Sequence, residues 1–147
     1  MKQVRDLMST DCKTVTLQDN IYEAAQIMAQ NDCGFVPVVE VENNRKMIGV
    51  VTDRDLVIRG YARKQPGSAS IKDVMSDSSL ISCSPEMDVH QAADLMAEHQ
   101  VRRLPVVENG QLVGIIAIGD LAVERININE AGQALSNISQ NTDHHLQ

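Results

Sequence analysis

The stretch richest in chemical content is Gly49-Val50-Val51-Thr52-Asp53-Arg54-Asp55. An apolar run passes here into a segment that can open a helix, and a helix start offers free N–H groups and the positive end of the peptide dipole to an anion. The hydroxyl of Thr52 can hydrogen-bond a phosphate oxygen, and the carboxylate of Asp55 can accept from both hydroxyls of a ribose. The same Thr-x-x-acid spacing is also a capping box, which needs no ligand. Further along, Gly114-Ile115-Ile116-Ala117-Ile118-Gly119-Asp120 keeps the acid but has alanine in place of the threonine. An acid that persists without its capping hydroxyl is either a ligand group or a carboxylate set favourably against the helix dipole. Arg102 and Arg103 precede the run Leu104-Pro105-Val106-Val107. Guanidinium groups suit phosphate in charge and in shape; a solvated surface pair is the alternative.

These residues sit within a duplication. Val4-x-Asp6-x-Met8-Ser9 recurs as Ile71-x-Asp73-x-Met75-Ser76, an offset of 67. At an offset of 68, Ile21, Ala24, Ala25, Met28 and Ala29 become Val89, Ala92, Ala93, Met96 and Ala97, the periodicity of an amphipathic helix. Asn20 with Glu23, and Asp88 with Gln91, place a cap and its reciprocal acceptor at the equivalent helix starts. Val36-Pro37-Val38-Val39 returns as Leu104-Pro105-Val106-Val107, with Gly34 and Phe35 standing where Arg102 and Arg103 later appear. Met47-Ile48-Gly49-Val50-Val51 returns as Leu112-Val113-Gly114-Ile115-Ile116, now at 65, because the second hairpin is three residues shorter. Asn109-Gly110 suits that tight turn. The predicted order is strand, helix, strand, strand, helix, twice. It implies an α+β fold of two βαββα repeats, residues 1–63 and 71–125, joined by a linker at 64–70 and followed by a tail at 126–147. The tail can carry a helix face of Ile128, Ala131, Leu135 and Ile138. A repeat of this size buries too little surface alone, so the two should pack about a pseudo-twofold axis.

Composition narrows the function. A formal charge of −7 without a basic stripe argues against nucleic acid, and three aromatic residues, Tyr22, Phe35 and Tyr61, make no stacking platform. The sequence has no apolar run long enough to cross a bilayer and opens without a signal peptide, so a cytoplasmic protein without a membrane role is expected. Cys12, Cys33 and Cys83 form no C-x-x-C pair, which disfavours a disulfide framework or zinc site. His90 and His99 lie off the apolar stripe, and His144-His145 lie in the tail, so no nucleophile and base are paired. Neither catalysis nor a metal is expected.

The doubled pattern, the Gly-Phe-Val-Pro-Val and Arg-Arg-Leu-Pro-Val strands and the Gly-x-x-Thr-x-x-Asp motif resemble a tandem pair of cystathionine β-synthase (CBS) domains over about 120 of the 147 residues. The resemblance implies a Bateman module that binds an adenosine-containing ligand such as AMP, ADP, ATP or S-adenosylmethionine, as a regulatory ligand rather than a required cofactor. It further implies that Asp55 and Asp120 hold ribose hydroxyls, Thr52 meets phosphate, and Arg102 or Arg103 reaches phosphate from the opposite repeat. Backbone near Val36 and Pro37 would line the adenine pocket. Ala117 departs from the usual Thr or Ser, so one occupied site per chain is expected. A homodimer acting on a separate protein target is the functional expectation; a structural or partner-binding dimer with vestigial clefts is the alternative.

Overall fold

The computed structural model describes residues 2–78 and 80–123. In chain order these form α1 (Val4–Leu7), α2 (Ile21–Asn31), β1 (Phe35–Glu40), β2 (Lys46–Thr52), α3 (Asp53–Asp55), α4 (Val89–His99), β3 (Arg103–Glu108), β4 (Gln111–Ala117) and α5 (Ile118–Val123). Two compact units result. The first-repeat unit holds residues 13–78, 80 and 109–112; the second-repeat unit holds 2–12, 81–108 and 113–123. Each unit therefore includes a short segment that stands in the chain ahead of the other repeat. The tail face of Ile128, Ala131, Leu135 and Ile138, and His144-His145, lie outside the described residues.

In the first-repeat unit, α2 starts where the Asn20 side chain accepts the Glu23 N–H at 2.9 Å and ends at Asp32 in the left-handed conformation. Its buried face of Ile21, Ala24 and Met28 packs with Val36, Val38 and Val51 of the antiparallel pair β1 and β2, and with Ile71 and Val74. Burying each such branched side chain contributes about 1.5–3 kcal/mol. The second-repeat unit repeats the scheme. Asp88 accepts the His90 N–H at 2.7 Å, α4 ends at left-handed Gln100, and Val89, Ala92, Ala93 and Met96 join Leu104, Val106 and Ile116 in its core. The borrowed segment supplies Val4, fully buried, and the antiparallel bridge Ser9 to Ile115; its counterpart in the first-repeat unit bridges Ser76 to Val50.

Three local outcomes differ from the periodicity. The expected first strand of each repeat is a single parallel bridge, Val15 to Val38 and Cys83 to Val106. Val15 donates to the Pro37 carbonyl at 3.0 Å and Cys83 to the Pro105 carbonyl at 3.0 Å. Extending either ladder toward the N-terminus would need an N–H that proline lacks. The last helix of the first repeat runs from α3 into a π turn at Leu56–Gly60 and a 3₁₀ turn at Tyr61–Arg63, with the Tyr61 N–H shared between the Leu56 and Val57 carbonyls. Finally, Ala25 and Ala29 are exposed, whereas Ala93 is buried and Ala97 half-buried. Alanine has little apolar surface to lose to water, so its spacing marks a helix but not the width of the buried face.

Candidate functional site

Antiparallel pairing of β1 with β2 sets Phe35 opposite Thr52, Val36 opposite Val51 and Pro37 opposite Val50. The buried Val36 and Pro37 therefore lie beside the strand that delivers Thr52 to the start of α3. Thr52 has an extended backbone, and its Oγ1 accepts the Asp55 N–H at 3.1 Å while Asp55 Oδ2 accepts the Thr52 N–H at 3.0 Å. The capping box anticipated as one reading of this motif is formed in full. It also fixes a half-buried carboxylate and a half-buried hydroxyl at a strand-to-helix junction. Neighbouring Asp53 is exposed, accepts the Arg54 N–H at 2.8 Å, and donates its own N–H to the Gly34 carbonyl at 3.0 Å.

Two further residues, Ser76 and Arg59, complete this corner although neither belongs to the Thr-x-x-Asp motif. The Ser76 hydroxyl donates to the Asp55 carboxylate, 3.3 Å from each oxygen. Ser76 is set there by a reciprocal backbone pair with Val50, at 2.9 and 2.8 Å. Arg59 donates from Nη1 to the carbonyls of Met75 at 2.8 Å and Val74 at 3.4 Å, pinning the residues just ahead. The signal for Ser76 was present in the repeated Met-Ser at 8–9 and 75–76; Arg59 has no such mark.

The second-repeat unit reproduces the backbone and changes the side chains. Ile118 donates its N–H to the Arg102 carbonyl at 2.9 Å, as Asp53 does to Gly34. Asp120, half-buried, accepts the Ala117 N–H at 2.8 Å through Oδ2, half of the reciprocal box. Arg102 is exposed; Arg103 opens β3 and is half-buried. Thr52, Asp55, Val36 and Pro37 thus come together in one unit, and Arg102, Arg103 and Asp120 belong to the other. Among the described residues no three His, Cys, Asp or Glu side chains gather to hold a metal, and no helix is long and apolar enough to cross a membrane. Burial pushes the Cys83 thiol up to about 11.

Comparison with known proteins agrees with this architecture. A CBS domain-containing protein of Bacillus subtilis, YhcV, is 43% identical over 144 residues, 98% of this chain and 100% of that protein. The solved structure of a CBS-domain containing protein from Agrobacterium tumefaciens is 31% identical, with a TM-score of 0.69 over 84% of this chain and 93% of that one. A CBS domain pair solved in complex with 5′-methylthioadenosine and S-adenosyl-L-methionine superposes with a TM-score of 0.71 over 84% of this chain and 95% of that one; at 24% identity it speaks for the fold. The family model for the CBS domain matches twice, at residues 4–60 and 71–126, and the chain belongs to the CBS domain family as a tandem pair.

Proposed function

We propose that the protein is a regulatory module that binds an adenosine-containing ligand, AMP, ADP, ATP or S-adenosylmethionine, and acts on a separate protein partner without catalysing a reaction. The observation that carries this reading is the Asp55 corner. A half-buried carboxylate is held rigidly at a helix start beside the Thr52 hydroxyl and the backbone of Val36 and Pro37, a combination that suits ribose, phosphate and adenine respectively. Asp120 is the second ribose group, and Arg102 or Arg103 is a further phosphate partner. Because Ala117 supplies no hydroxyl, the site with Thr52 is the stronger. A ligand of this kind regulates by favouring one conformation over another, which requires different affinities for the two. The protein works in the cytoplasm, as a homodimer.

A second reading has its own support. Tyr22 (60% exposed) on α2 and Val57 (59%), Ile58 (42%) and Tyr61 (85%) on and beside the π turn leave apolar surface in water on two neighbouring elements. Such surface marks an interaction face, so a structural dimer with unused ligand sites is the competitor.

A thermal-shift screen of the purified chain against AMP, ADP, ATP and S-adenosylmethionine, with guanosine nucleotides as controls, separates the two. Ligand at 100 times its Kd adds about 2.7 kcal/mol, which raises the midpoint of a chain this size by roughly 5–10 °C. A selective adenosine response that Asp55→Ala removes supports the sensor. A dimer indifferent to every nucleotide supports the structural reading.

A further inference from the structure

We infer that Ser76 is a positioning residue that sets the carboxylate of Asp55 to read the two hydroxyls of a ribose; the inference rests on the adenosine-ligand reading above. An ionised carboxylate offers about four acceptor sites on its two oxygens. In this structure the Thr52 N–H takes one, on Oδ2, and the Ser76 hydroxyl takes another, equidistant from both oxygens. About two sites remain, the number that one vicinal diol fills.

The Thr52 N–H holds Oδ2 and so limits the turn about Cβ–Cγ, a torsion that is otherwise broad for aspartate. The Ser76 hydroxyl, 3.3 Å from Oδ1 and from Oδ2, is a second anchor that draws on both oxygens of the same carboxylate. The serine is itself held by the backbone pair with Val50 and by the Arg59 guanidinium on the preceding carbonyls, and Gly49 leaves room for this close approach, since a Cβ there would stand 2.9 Å from the Ser76 carbonyl. The second-repeat unit lacks this arrangement. Ser9, the counterpart of Ser76, is exposed, and among the described residues it makes no bond to Asp120. The unit that keeps the threonine also keeps the serine contact, so the two features mark the same site.

The test uses the full chain with AMP and 2′-deoxy-AMP as probes in titration calorimetry, and urea unfolding without ligand. Ser76→Ala is expected to weaken AMP about tenfold, the effect of losing one hydrogen bond to a charged group, and to leave 2′-deoxy-AMP within about twofold; Ser76→Thr restores AMP binding. In urea, Ser76→Ala lowers the midpoint of the native chain but not that of an Asp55→Ala background, which shows that the hydroxyl acts through the carboxylate. Equal loss for both nucleotides, unchanged AMP affinity, or equal urea shifts in the two backgrounds each overturns the assignment. If the native chain binds neither nucleotide, the adenosine reading fails and this inference with it, and the urea comparison separately shows whether Ser76 sets Asp55.

Discussion

A Cβ on Gly49 would stand 2.9 Å from the carbonyl oxygen of Ser76. That oxygen cannot retreat without breaking the pair in which Val50 and Ser76 exchange bonds of 2.9 and 2.8 Å. Gly49→Ala is therefore expected to destabilise the protein by about 1–3 kcal/mol, a fall in melting temperature of roughly 3–10 °C. Gly119 on α5 provides the contrast, because its Cβ would meet nothing within 4 Å. Alanine there gains helix propensity of about 0.8–1 kcal/mol. Melts followed by far-UV circular dichroism should move in opposite directions for the two substitutions, and a harmless Gly49→Ala would show that the segment 71–76 is not tightly docked on β2.

What the sequence revealed and what it hid follow from the range of each interaction. The helix starts at Asn20 and Asp88 are legible because each cap and its partner lie three residues apart, although only Asp88 and Gln91 close the reciprocal box, Asn20 accepting the Glu23 N–H alone. Thr52 and Asp55 were legible for the same reason, and so was the ambiguity between capping and ligand binding, since both use one spacing. The bond from Ser76 to Asp55 joins residues 21 apart and depends on the 71–76 segment docking onto β2. No local pattern states that. The sequence around Val15 and Cys83 predicts strands and the structure has single bridges there, because β-propensity reports a side chain that fits a pleated surface, while the ladder's length is decided by Pro37 and Pro105 on the partner. The π turn after Asp55 likewise follows no periodicity, since it inserts one residue into a helical repeat.

Asp32 and Gln100 end α2 and α4 in the left-handed region, with φ of 49° and 58°. That conformation costs a residue with a Cβ about 1–2 kcal/mol, and glycine escapes it at an entropic cost of roughly 0.5–1 kcal/mol in the unfolded chain. Gln100→Gly should accordingly raise the unfolding free energy by about 0.5–1 kcal/mol. Asp32→Gly should gain less, because aspartate tolerates this region better than glutamine. Urea titration of the two variants checks the sign and the order.

Cys83 is 3% exposed, and burial holds its thiol at about 11, above the ordinary value of 9.0. The thiolate is the reactive form, so at pH 8 the folded protein should leave Cys83 unalkylated by iodoacetamide while Cys12 and Cys33, both half-buried, react first. Mass spectrometry of the labelled chain reads this directly. The linked effect on stability has a definite sign. Above pH 9 the unfolded chain releases the proton and the folded chain keeps it until about pH 11, so this group removes stability as pH rises through that window. Cys83→Ala should flatten that part of the stability profile even though the smaller side chain lowers stability at every pH.

Asp120 accepts the Ala117 N–H at 2.8 Å but has no hydroxyl at position 117 to receive its own N–H in return. Ala117→Thr would complete the reciprocal box that Thr52 and Asp55 already form, and Thr52→Ala would undo that one. A threonine cap is worth about 1 kcal/mol, or roughly 2–4 °C for a chain of this length. If capping is the whole role of the hydroxyl, the two substitutions shift the melt by similar amounts in opposite directions and leave nucleotide affinity alone. If Thr52 meets phosphate as well, Thr52→Ala weakens AMP more than adenosine, by about tenfold for one lost bond to a charged oxygen. Ala117→Thr then strengthens AMP at the weaker site. Melts of both variants with AMP, with adenosine and without ligand separate the cap from the contact, because adenosine carries the ribose that Asp55 would read and lacks the phosphate.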